Sequence, residues 1–286
     1  MSRWLTYLKE RFPLPVYVLL VGGIVLSGLY LESGRFDLRA FLLAFIGIML
    51  FFSELRLMDE LKDYKKDLEA HPERPLPRGL LTPEEVRKAI GIKAVVMLAY
   101  GGLVAFLANP FAGACYGILT VYLWLMYREF FVGSWLEKRA IWYAVSHQII
   151  MIPLAAFCVL VFRPAMLYDT MTLYMGLCML GSFFSYEVCR KLDPKAHPVL
   201  KTYLYMYGPK GTAVLVLCAS AVAAFGAYRL GLEMLLWPME TLLLISLILL
   251  FAKPDKFKII EGVASLSLLV HLWAIVIQHF AGWPSG

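Results

Sequence analysis

The sequence predicts an all-α protein that crosses a membrane about nine times, and three observations predict it. Of 286 residues, 60% are hydrophobic and only 17% charged, whereas soluble domains are about half apolar and a quarter charged. The apolar residues come in blocks of about 20, the length that carries a helix across a hydrocarbon core, with none of the short alternating segments of a transmembrane barrel. The basic residues gather in alternate loops, as the positive-inside rule requires of a polytopic protein.

The candidate spans are 14–33, 38–58, 86–108, 111–127, 140–162, 165–189, 211–230, 233–252 and 258–280. The first follows a charged start and has the length of a full span without a small-residue cleavage site, so it reads as a helix rather than a removed signal. Asn109-Pro110 makes a tight turn between the third and fourth. Before the third, Thr82, Pro83 and Glu85 form a capping box with proline at the first helical position, which predicts a short helix and a fixed Pro72–Leu81 loop ahead of it. Arg3, Lys9 and Arg11, then the loops after spans two, four, six and eight, hold nearly all the cations; the other loops hold only Arg35, Arg39, Arg163 and Arg229. The expected orientation is an N-terminus and charged loops in the cytoplasm and a C-terminus outside, in the inner membrane of the cell. The whole chain, 1–286, reads as one domain. A weak pseudo-repeat is visible at about 14–127 and 140–252, each half ending its second helix in acids and a proline-turned loop, with a ninth helix to follow.

The five cysteines show no CxxC spacing and lie mostly in apolar runs, which reads as packing rather than redox or metal chemistry. The net charge of +6 reflects topology, and no nucleic-acid partner is expected. Among the histidines, His147 stands out because polar groups at membrane depth are costly, and a helix-packing hydrogen bond is its expected role. The aromatic residues around the loop after span four, from Tyr122 to Tyr143, read chiefly as an interfacial belt, a subset of them suited to shielding a carbocation.

The chemistry concentrates at the end of span two. Asp59, Glu60, Asp63 and Asp67 share one stripe at the helical step, and Lys62, Lys65 and Lys66 are expected on the opposite side. Four carboxylates within two turns repel one another unless a cation joins them. Hard oxygen donors suit magnesium, which takes one or two carboxylates and shares phosphate oxygens. Arg74, Arg78, Arg128, Arg190 and Lys191 lie near span ends on the same side, where a diphosphate would need a few of them.

These residues resemble the UbiA superfamily of intramembrane prenyltransferases, whose second helix ends in N-D-x-x-D-x-x-x-D followed by an R-P-[IL]-P-S-G loop. Asp59-Glu60-Leu61-Lys62-Asp63-Tyr64-Lys65-Lys66-Asp67 matches that frame, and Arg74-Pro75-Leu76-Pro77-Arg78-Gly79 follows at the family's spacing. Asp59 replaces the Asn, Glu60 the first Asp, and Arg78 the Ser. The resemblance implies a helical bundle around a central cavity with a cytoplasmic cap. It also implies Mg2+-dependent transfer of a prenyl group from an isoprenoid diphosphate to a small acceptor, aromatic or a quinone precursor, among membrane lipids. Asp59, Glu60, Asp63, Asp67 and Glu187 would then hold the metal, with Asp63, Asp67 and Glu187 catalytic, and Arg74, Arg78, Arg128, Arg190 and Lys191 would face the diphosphate. The family's second acidic motif is altered: Lys191 and Lys195 stand where acids are expected, leaving Glu187 towards metal and the cations towards phosphate. Tyr127-Arg128 stands near the family's lysine–arginine pair. Two other readings compete. A cation transporter would place its acids near the bilayer midplane, and a non-catalytic relative would keep the fold with the second motif lost.

Overall fold

A computed structural model describes residues 3–31 and 35–282, and among them there are helices and no strands. In order the helices are α1 Arg3–Arg11, α2 Leu14–Tyr30, α3 Leu38–Ala70, α4 Pro83–Leu107, α5 Pro110–Tyr127, α6 Gly133–Leu136, α7 Ala140–Gln148, α8 Met151–Leu160, α9 Thr170–Cys189, α10 Tyr203–Arg229, α11 Glu233–Ser246, α12 Ile248–Ala252 and α13 Phe257–Ala281. The expected end of the first span, at 32–33, lies outside the described residues.

Local chemistry explains most of these boundaries. Asp37 opens α3 by accepting from the backbone N–H groups of Arg39 and Ala40. Thr82 and Glu85 close their capping box on α4 itself, so the expected short helix is the first turn of the third span rather than a separate element. The fifth span is broken between α7 and α8. Pro153 has no N–H to give to the Ile149 carbonyl and its ring crowds that group, which loosens the turn there. Gly208, at φ 65°, takes the left-handed corner before Pro209, and the membrane part of α10 starts after it.

Among the described residues seven helical segments are long and apolar enough to cross a membrane, and α1 with α2, bent by 55°, makes a possible eighth. The expected count of nine is therefore not reached by this measure; the segment outside it is α9. Thr, Gly, Ser and Glu dilute its hydropathy, yet twelve of its 20 residues are buried. A helix surrounded by other helices does not need an apolar surface for lipid. A Cβ on Gly181 would stand 2.4 Å from the Ala223 backbone nitrogen, and one on Gly226 2.7 Å from that of Cys178. Small residues thus let α9 and α10 touch backbone to backbone, with α8 and α13 also against α9. Between α3, α5 and α8 the interior is filled by rings, Phe51, Tyr116 and Phe157 being fully buried. A groove of about 590 Å³ runs instead along α11, lined by Met234, Trp237 and Leu242, all of them exposed.

Candidate active site

The α3 helix carries its acids past the apolar run without interruption. The chain then turns back: Arg74 N–H donates to His71 O and Leu80 N–H to Pro75 O, Gly79 takes φ 77°, and Leu76 and Leu81 are buried beneath the turn. This folds the proline loop against the helix end, and Arg74 Nη1 reaches Asp67 Oδ1 at 2.7 Å.

The four acids divide into two pairs. Glu60 and Asp67 are both 1% exposed, and each has its own arginine: Arg11 on Glu60, with Arg56 at 3.9 Å, and Arg74 on Asp67. A buried carboxylate without such a partner would be severely penalised. Asp59 and Asp63, one turn apart, are half-buried, and neither makes an ion pair or hydrogen bond with another described residue. They fit the donor set of one magnesium, which takes one or two carboxylates and completes its shell from water and phosphate. No three His, Cys, Asp or Glu side chains converge among the described residues.

Across from this pair stands the end of α9. Glu187 is held by Arg190 Nε at 2.6 Å and Lys191 Nζ at 2.5 Å. The Arg190 guanidinium is raised above its ordinary value first by Glu187 and, across the mouth, by Asp59. Tyr143 lies within electrostatic reach of Asp59, Asp63 and Glu187 together. The two motif ends therefore share one polar mouth. Below it runs a line of rings: Phe12 stacks on Tyr17 at 3.7 Å, Tyr17 meets Phe52 at 6.0 Å, and Phe52 meets Phe183 at 6.3 Å.

The other expected residues lie as follows. Arg78 binds Glu10 of α1 at 2.8 Å and the Glu73 carbonyl at 2.9 Å, which ties the loop to α1. Arg128 ends α5 with its guanidinium over the Phe131 ring at 5.6 Å, beside the turn Glu129–Phe131, whose three residues all have positive φ. Lys62 corrects the sequence reading. Three residues from Asp59 is about 60° short of a full turn, so it flanks the acid pair rather than opposing it, and its Nζ lies 3.3 Å from His147 Nε2 on α7. The interhelical bond expected of His147 is thus present.

Two buried pairs went unnoticed in the sequence. Lys93 Nζ lies 3.8 Å from Glu54 Oε2 and donates to Ser53 Oγ at 2.6 Å. Glu240 Oε1 lies 2.8 Å from His271 Nε2, joining α11 to α13. An acid inside an apolar run was the available signal for each.

The sequence profile of the UbiA prenyltransferase family matches residues 17–255. No curated protein sequence matches. A solved structure of digeranylgeranylglyceryl phosphate synthase is similar, with TM-score 0.62 and 19% identity, over 96% of this chain and 99% of that one. At that identity the likeness speaks for the fold, a helical bundle in the membrane.

Proposed function

Because the chain belongs to the UbiA prenyltransferase family, we propose that it transfers a prenyl group from an isoprenoid diphosphate to a small acceptor within the membrane, with magnesium, and that the acceptor is aromatic. One observation carries this reading furthest. Glu60, Asp67 and Glu187 each have a cation in direct contact, while Asp59 and Asp63 stand together with no ion pair among the described residues, within electrostatic reach of Lys62 and Arg190.

Bound magnesium would supply Lewis-acid stabilisation of the departing diphosphate. The chain's residues do the rest. Asp59 and Asp63 offer the metal its protein oxygens. Arg190 and Lys191 add positive charge fixed in place by Glu187, so no reorganisation is needed as charge grows on the leaving group. The faces of Tyr17, Phe52 and Phe183 offer negative potential to an allylic cation below the mouth, and apolar walls favour the donor's chain by about 25 cal/mol per Å² buried. Glu60 and Asp67 act through their arginines, fixing α1 and the proline loop around the pair. The cation-rich loops favour a mouth on the cytoplasmic side by the positive-inside rule.

The test uses membranes carrying the full chain, radiolabelled prenyl diphosphates and candidate phenolic acceptors, with and without magnesium. Diphosphate release should require magnesium and fall by about 100-fold or more in Asp63→Asn, the cost of losing one preorganised electrostatic group. Release that is equal in wild type and Asp63→Asn, or absent from both across all donors, defeats the reading and leaves a non-catalytic relative.

A further inference from the structure

Lys62 is held in an unusual way for a lysine at an acidic helix end. Its ammonium makes no ion pair with any described carboxylate, although it lies within electrostatic reach of Asp59. Instead it sits 3.3 Å from His147 Nε2 and 4.9 Å from the centre of the Tyr143 ring. The tautomer of His147 follows from its other side. Nδ1 is 2.8 Å from the Tyr143 carbonyl oxygen, which can only accept, so Nδ1 carries the hydrogen. Nε2 is then a lone pair, and the ammonium, which can only donate, satisfies it. The imidazole is itself fixed, stacked on Tyr143 at 4.1 Å and 15° and met edge-on by Phe130 at 5.8 Å. A half-buried ammonium fixed by a neutral base and a ring face, and in no ion pair with the nearby acids, has spare donors to offer an anion.

We propose that Lys62 is a substrate-binding residue that anchors the donor's diphosphate beside Asp59 and Asp63, and that His147 is the positioning residue that holds it there. The inference rests on the prenyl-diphosphate reading above. Lys62 lies inside the acidic motif, one residue before Asp63, so the same helix turn presents carboxylates to the metal and an ammonium to the phosphate oxygens. His147 touches no substrate; it acts by restricting a long side chain that would otherwise lose several rotamers on binding.

The experiment measures binding of inorganic pyrophosphate with magnesium to the purified full chain in detergent, with thermal melting as the folding check, and the donor and acceptor KM values in membranes. Lys62→Met, which keeps the aliphatic stem, should weaken pyrophosphate binding by about tenfold or more, the worth of a charge-assisted bond. His147→Leu should weaken it by a similar factor in a Lys62 background and by nothing in the Lys62→Met background. His147→Gln, which keeps an acceptor, should restore most of the affinity. In turnover, donor KM should rise while acceptor KM stays. Wild-type binding in Lys62→Met, additive losses in the double variant, or His147→Gln no better than His147→Leu would each overturn the proposal. Asp63→Asn separates the two readings: if it binds magnesium pyrophosphate like wild type while Lys62→Met does not, the anchor stands and the metal assignment falls.

Discussion

At the residue scale, four arginines at the mouth have different employments. Arg11 and Arg74 neutralise buried acids of α3, Arg190 stiffens Glu187, and Arg78 fastens the proline loop to α1 through Glu10. Their position at span ends puts Arg74, Arg78 and Arg190 among the expected site residues, and Arg11 only among the cations before the first span; a spacing argument cannot say which carboxylate claims which guanidinium. That depends on α1 folding back over α3, a tertiary fact. The Glu10–Arg78 bond has a measurable consequence. The Arg78 hydrogen bond holds the Glu10 carboxyl below its ordinary value of 4.5. A depressed carboxyl contributes stability that is fully present above the unfolded value and is lost as pH falls through the folded one. The protection of α1 amides, measured as the intrinsic exchange rate at each pH divided by the observed rate, should therefore fall as pH drops below 4.5, and Arg78→Met should remove that dependence. Protection that is flat with pH in both proteins would show that the bond does not hold α1.

At the scale of elements, the helices were legible where physics is local. Asp37, Thr82, Asn109 and Asp169 each cap the helix they precede, and these residue types before an apolar run are readable signals. The breaks were less so. Pro153 and Pro209 were visible, but whether a proline ends a span or only kinks it depends on neighbours. The α9 helix is the clearest case of tertiary override, since its modest hydropathy makes sense only once α8, α10 and α13 surround it. Its glycines are the means. Gly181→Ala would place a methyl against the Ala223 backbone, forcing α9 and α10 apart at a cost of about 1–3 kcal/mol. A melting transition in detergent lower than wild type by several degrees is the expected result, and an unchanged one would mean that the helices slide past each other freely. The turn Glu129–Phe131 lies at the other extreme. Three consecutive residues with side chains in the left-handed region cost roughly 1–2 kcal/mol each, and no sequence rule foretells them.

At the scale of the molecule, the class and the family were readable, because apolar blocks and a motif at a membrane boundary are one-dimensional signals, and the same motif marks the candidate half-site on α3. The facing half on α9 was readable only as an altered motif. Its meaning emerged when the two ends met and Glu187 was found spoken for by Arg190 and Lys191. The orientation inferred from charge asymmetry is open to a direct check. A cysteine at Lys65, an exposed position between Asp63 and Asp67, should react with an impermeant thiol reagent only after cells are opened, and one at Phe280, near the end of α13, should react from outside intact cells. The opposite pattern would invert the protein. The native cysteines interfere little, since all but Cys218 are buried.

One feature of α3 ties the lipid to the chemistry. Its 33 residues make a single rod about 50 Å long, while the hydrocarbon core is about 30 Å thick. Roughly 20 Å of it therefore stands clear of the apolar layer, and the carboxylates ride on that projecting part. With no break between them, the embedded portion and the acid-bearing portion move as one body. A bilayer of longer or shorter acyl chains would tilt or shift the rod to match its thickness, and Asp59 and Asp63 would rise or sink with it relative to the facing end of α9. The thickness of the surrounding membrane thus becomes a setting of the mouth's aperture, transmitted by nothing more than the stiffness of one helix.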